Sequence, residues 1–188
     1  ISESEGSRVT LHLPSTSRRV AMLHSRCYSR PSSNSSSASH ATSHTEVSST
    51  RIQMINVDIR QLPSVVIAKR NTLEELIVDG NGLTENAFNM PRFPHLRLLS
   101  VKRNKIRNIA LLLDYLRKSC PSLEVILLKG NPGWPLSSKG LEDKRYLNYR
   151  KETLRMFPRL IFLDGFCAID KRRFESEESL STQSIDSI

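Results

Sequence analysis

Five histidines, three cysteines and one glycine-flanked turn are the residues with catalytic or ligating chemistry to offer in this 188-residue chain. His12, His24, His40 and His44 lie in a serine-rich first quarter, and His95 stands alone. His40 and His44 have the i, i+4 spacing of a helical ligand pair, but a metal site needs more donors and a fixed helix to hold them. No metal and no cofactor is expected. Gly80-Asn81-Gly82 is not a phosphate-binding loop, because no Gly-Lys-Ser/Thr follows it. Cys27, Cys120 and Cys167 are odd in number and unpaired in spacing, as befits a reducing compartment. These residues point away from an enzyme.

The charges suggest different chemistry. The chain carries a formal net charge of +9, and the excess lies in its middle. Residues 51–170 hold 20 basic against 12 acidic side chains, whereas 1–50 hold 5 against 3 and 171–188 hold 3 against 4. A basic folded region attracts polyanions. Lys102-Arg103-Lys105-Arg107 and Lys144-Arg145-Arg150-Lys151 are the densest clusters, and no aromatics interleave with them as a stacking platform for RNA would require. They read first as solvated faces.

What positions these residues is a recurring spacing. Leu73, Leu76, Val78, Asn81 and Leu83 recur as Leu96, Leu99, Val101, Asn104 and Ile106, and again as Leu123, Ile126, Leu128 and Asn131. All three fit Leu-x-x-Leu-x-Leu-x-x-Asn-x-Leu, the leucine-rich repeat. In a strand, alternate side chains share a face, so Leu76 and Val78 point inward together. The asparagine amide then bonds the backbone where the chain turns out of its strand, so Asn81, Asn104 and Asn131 should stack as a ladder. No single unit buries its apolar face alone; its neighbours do so.

Weaker copies flank the three. Ile52, Ile55, Val57 and Leu62 keep the apolar pattern, with Arg60 in the asparagine place, and Leu160 and Leu163 open a last copy that stops at Asp164-Gly165. Successive starts are 21, 23, 27 and 37 residues apart, so the two longer intervals hold extra convex structure. Ile109, Leu112, Leu113, Leu116 and Cys120 have helical spacing before Pro121. A second helix is expected from about Leu141 to Phe157, with Tyr146, Tyr149 and Leu154 on the last repeat. Trp134, in the loop Asn131-Pro132-Gly133-Trp134-Pro135, is expected to pack over the end of the core, with anchoring of a partner as the alternative.

The fold class is therefore α/β, a short solenoid with a curved parallel sheet on its concave side and helices and turns on its convex side. Residues 51–170 form the repeat domain, capped from about 145 to 170. The serine-rich arm 1–50 and the tail 171–188 are expected to be disordered. Arg26–Ser29 and Arg30–Ser33 have the spacing of basophilic phosphorylation sites. The chain begins on Ile1, which leaves room for a native amino terminus upstream. No apolar run approaches the ~18 residues of a membrane span, and Arg18 and Arg19 interrupt Leu11–Leu23 as a signal-peptide core.

Tyr149-Arg150, followed by Phe157-Pro158-x-Leu160-x-x-Leu163-Asp164, resembles the C-terminal cap of a subgroup of leucine-rich repeat proteins. That subgroup includes the spliceosomal A-prime protein, the acidic nuclear phosphoproteins and the melanocyte-differentiation leucine-rich proteins. The chain is most similar to the melanocyte-differentiation branch, through Leu73–Asn81, Leu111–Leu116, Pro121–Asn131 and the charged insertion before Tyr149. Glu152 and Thr153 depart from it, standing where that cap usually has apolar residues. The resemblance implies a non-enzymatic adaptor inside the cell, in the cytoplasm with the nucleus as a second location, linked to pigment-cell differentiation. The splicing and mRNA-export relatives imply the alternative, a ribonucleoprotein component.

Positions alternating with the inward residues should line the concave face. They are Met54, Asn56 and Asp58; Glu75, Ile77 and Asp79; Leu98, Ser100 and Lys102; Val125, Leu127 and Lys129; and Phe162 in the cap. Leu98, Val125, Leu127 and Phe162 would form an exposed apolar patch that invites a partner. The expected occupant is a helix or extended peptide of mixed charge on a monomeric chain, with RNA less favoured. A flanking tail or the capping helix folded over the stripe is the competing expectation. If the patch is open, Leu98→Glu or Leu127→Glu releases the partner without unfolding the protein.

Overall fold

The computed structural model describes residues 42–135 and 143–168. One seven-stranded sheet runs through them in sequence order: β1 His44–Val47, β2 Arg51–Ile55, β3 Glu75–Ile77, β4 Leu98–Ser100, β5 Val125–Leu127, β6 Phe162–Leu163 and β7 Phe166–Cys167. From β2 to β6 every pairing is parallel, and β1 and β7 add antiparallel strands at the two edges. Parallel neighbours need crossovers, which supply the convex side. These are α1 Ser64–Ala68, a 3-10 turn Glu85–Phe88, α2 Ile109–Ser119 and α3 Lys144–Met156.

Ile52, Leu76, Leu99, Ile126 and Leu163 occupy one column across the sheet and are buried with Leu73, Leu96, Leu123 and Leu160 in a single core. Helix α2 contributes Ile109, Leu112, Leu113 and Leu116 to that core. Each leucine removed from water contributes about 1.5–3 kcal/mol. Asn108 starts α2 by accepting the Leu111 amide at 3.0 Å, and Asp143 starts α3 by accepting the amides of Arg145 and Tyr146.

Three expectations change. The first copy is displaced by three residues: Ile52, not Ile55, pairs with Leu76, which puts Val57 rather than Arg60 level with Asn81. The concave residues of that strand are thus Arg51 and Gln53, while Met54 is in the core. Two spaced isoleucines without an asparagine fit either register, and pairing decides. Second, β1 lies in the last residues of the arm expected to be disordered. Third, α3 buries Arg150 together with Tyr146 and Thr153, whereas Tyr149 is 41% exposed. Residues 1–41, with His12, His24, Cys27 and His40, and the tail 171–188 lie outside the described residues.

Candidate interaction surface

The asparagine ladder forms. Asn81 Nδ2 donates to the carbonyls of Met54 at 2.8 Å and Val78 at 3.0 Å, while its Oδ1 accepts the Val57 amide at 3.0 Å. Asn104 does the same to Val78 and Val101 and accepts from Leu83. Asn131 donates to Val101 and Leu128 and accepts from Ile106. Each amide thus satisfies backbone groups of two successive turns, which would otherwise be orphaned inside the protein.

The left-handed turn beside each asparagine recurs too. Asn56, Gly80, Arg103 and Gly130 hold equivalent places, and all four have positive φ, at 54°, 66°, 52° and 86°. Gly80-Asn81-Gly82 is a turn of this kind.

The cap replaces the missing next repeat. Asp164 Oδ1 accepts the amides of Leu128 at 2.6 Å and Lys129 at 3.0 Å, and Trp134 donates to the same carboxylate. Burial pushes the Asp164 carboxyl above its ordinary range, and these donors and Lys129 pull the other way. Arg150 is buried beneath the β6–β7 hairpin and donates to the carbonyls of Leu163 at 3.2 Å and Cys167 at 2.7 Å. Trp134 is buried, edge-on to Tyr146 and Tyr149 with ring centres 6.0 and 5.7 Å apart, so it packs over the end of the core. Thr153 is fully buried, its hydroxyl donating to the Tyr149 carbonyl, and Pro158 follows the helix. Cys120 and Cys167 are free thiols; burial pushes Cys120 up to about 12.

Pairing puts the expected concave residues side by side. Glu75, Leu98, Val125 and Phe162 form one row, Ile77, Ser100 and Leu127 a second, and Asp79, Lys102 and Lys129 a third. The apolar stripe is not an exposed patch, however. Ile77, Leu98, Val125 and Leu127 are at most 5% exposed, and Ser100 and Asp79 are buried beside them. Strand alternation tells which face a residue takes, not whether that face meets water.

Glu75, Lys102 and Phe162 are half-buried and Lys129 is exposed, so they form a reachable rim. Asp79 Oδ1 accepts the Ser100 hydroxyl at 2.6 Å and the Lys102 amide at 2.9 Å, and its Oδ2 stands 3.2 Å from Lys102 Nζ. Glu75 pairs with Arg51, which also reaches Gln53. Sequence reasoning missed Arg51 and Gln53 through the displaced register, and Arg150 because an arginine among other basic residues reads as solvated.

Among known proteins, the chain is similar to the human leucine-rich melanocyte differentiation-associated protein, 38% identical over 111 residues that cover 58% of this chain and 54% of that one. The fold is a short leucine-rich repeat solenoid. The chain is also 31% identical over 146 residues to the acidic leucine-rich nuclear phosphoprotein 32 family member A of Drosophila pseudoobscura pseudoobscura, covering 68% of this chain and 54% of that one. The repeat protein thus spans about half the length of the curated relatives it matches. No family model matches it. Among solved structures it is similar to the Drosophila melanogaster SNF/U2A′ complex, with a TM-score of 0.43, 22% identity and coverage of 68% and 79% of the two chains. It is also similar to the Chaetomium Mex67:Mtr2 subunits, with a TM-score of 0.34, 22% identity and coverage of 54% and 59%.

Proposed function

We propose that this repeat protein is a non-enzymatic adaptor inside the cell that docks a protein segment across the rim of its concave sheet. The single observation that carries the reading is the register of that face. Strands β3 to β6 hold Glu75, Lys102, Lys129 and Phe162 in rows on one side, opposite the helices, with acid at β3 and base at β4 and β5. Such a surface suits an extended or helical segment of mixed charge, and the relatives' repeats support the same class of role. A place in pigment-cell differentiation follows from the name of the human relative, and a nuclear location beside the cytoplasmic one from the name of the fly relative. The chain works as a monomer in this reading.

Because Leu98 and Leu127 are buried, glutamate there would test folding rather than docking. The rim is tested with a photo-crosslinking residue at Lys129 or Glu75 in the full chain. Crosslinks to one protein that survive RNase support the adaptor. The second reading, a ribonucleoprotein component, rests on the exposed Arg103, Lys105 and Arg107; RNA crosslinks with a steep salt dependence would favour it.

A further inference from the structure

The third repeat breaks the pattern of its left-handed turns. Its neighbours place glycine there, at Gly80 and Gly130, and the first copy places Asn56. Glycine and asparagine tolerate positive φ, whereas the third repeat carries Arg103 at φ 52°. Nothing in the turn requires a long side chain, so the arginine is held at a cost to stability. Such strain points to a use.

The surroundings of Arg103 show what that use is. A Cβ added at Gly130 would come within 2.9 Å of Arg103 Cγ, so the glycine of the next repeat leaves room for the arginine stem to lie along the edge of the solenoid. Arg60 lies over Gly82 in the same way, with 3.2 Å from that glycine's added Cβ to Arg60 Cγ. Arg103, Lys105 and Arg107 are exposed in alternation with the buried Asn104 and Ile106. Arg145, at the start of α3, lines the cleft along Gly130 and Trp134 and extends the basic edge to the cap. The acids nearby are engaged or few: Asp79 is paired with Lys102, Glu85 accepts the Arg107 amide, Asp143 caps α3, and Asp58 stands near Gly82.

We infer that this edge, centred on Arg103, Lys105 and Arg107, is a second docking surface, and that it takes an extended acidic segment of a partner protein. Arg103 in the turn and Lys105 and Arg107 in the segment that leaves it expose three like charges along one edge with no acid among them, and a segment carrying several carboxylates complements that edge. A nucleic acid fits less well, because Phe88, Phe93 and Trp134 are buried, and Tyr149, 41% exposed on the cap, is a lone ring rather than a row on which successive bases could stack. The protein nature of the occupant rests on the adaptor reading; the rim variants at Glu75 and Lys129 test that reading separately.

The test measures fluorescence anisotropy of a labelled alternating Glu-Ser peptide and of an oligouridylate of equal length, titrated with the full chain. Arg103→Gly and Lys105→Ser/Arg107→Ser are compared with Arg117→Ser/Lys118→Ser on α2. Peptide affinity should fall roughly threefold per charge removed at the edge and stay unchanged in the α2 control. Arg103→Gly should also raise the melting midpoint by a few degrees, which separates lost binding from lost folding. The inference is overturned if Arg103→Gly raises the midpoint with peptide binding unchanged, or if the α2 control weakens binding equally. Tighter binding of the oligouridylate, with the same loss at the edge, would overturn it in favour of RNA.

Discussion

Asp164 Oδ1 accepts the backbone amide of Leu128 at 2.6 Å, in the place where a following strand would offer a carbonyl. In the earlier repeats that carbonyl exists: Val78 donates to Ser100 at 2.9 Å and Val101 to Leu127 at 3.0 Å. At β6 the chain instead turns back through Asp164, at φ 50°, and Gly165 into β7. One carboxylate therefore ends the solenoid without leaving the last amides unsatisfied.

Asp164→Ala removes an acceptor from two buried amides and should cost about 2–4 kcal/mol in chemical denaturation. Asp164→Asn keeps an acceptor and should cost less. The two proteins should also differ with pH. Because burial raises the Asp164 carboxyl above its ordinary 3.8, the folded chain holds that proton more tightly than the unfolded one. Its contribution to stability is present at low pH and is lost as pH rises from about 3.8 through the raised value. Asp164→Asn should gain on wild type over that interval, read from denaturation midpoints across a pH series.

Asn104 ties two successive turns with four main-chain bonds between 2.9 and 3.2 Å. Asn104→Ala leaves the Leu83 amide without its side-chain acceptor and takes from the Val78 carbonyl one of its two side-chain donors, the other being Asn81. The expected loss is about 2 kcal/mol or more, measured by urea unfolding, with hydrogen exchange rising first around residues 78–83.

Arg150 holds the β6–β7 hairpin through the carbonyls of Leu163 and Cys167. Arg150→Met should cost about 3 kcal/mol and speed amide exchange across 161–168, while the ladder at Asn81 stays protected. Uniform acceleration through every repeat would show that the hairpin does not open separately.

Leu98 is fully buried on the concave face. Leu98→Ala should therefore cost about 2–5 kcal/mol, as in a core, and Leu98→Glu should prevent folding. A neutral Leu98→Ala in thermal melts would mean that the stripe meets water after all.

Much of this was legible in the residues. Leucine spacing with Asn81, Asn104 and Asn131 announces the parallel strands, because apolar alternation and a ladder amide impose one register on β3, β4 and β5. Helix α2 was legible from its apolar period and from Pro121. The rest depends on tertiary contacts that no local pattern carries. Ile52 and Ile55 compete for one place until β3 selects Ile52. His44–Val47 is too short and polar to read as a strand, yet it pairs along β2. Arg150 and Tyr149 are neighbours on one helix, and only the hairpin carbonyls decide which is buried. The rows align from β3 to β6 but not at β2, where Met54 turns into the core, and the burial of their apolar part was not visible in alternation.

The most direct test of the adaptor is affinity capture from RNase-treated lysate, comparing the full wild-type chain with Glu75→Lys/Lys129→Glu after circular dichroism has shown the same fold. The account predicts a protein that wild type retains after RNase and that the rim variant loses. Partners that vanish on RNase treatment and ignore the rim substitutions would contradict it.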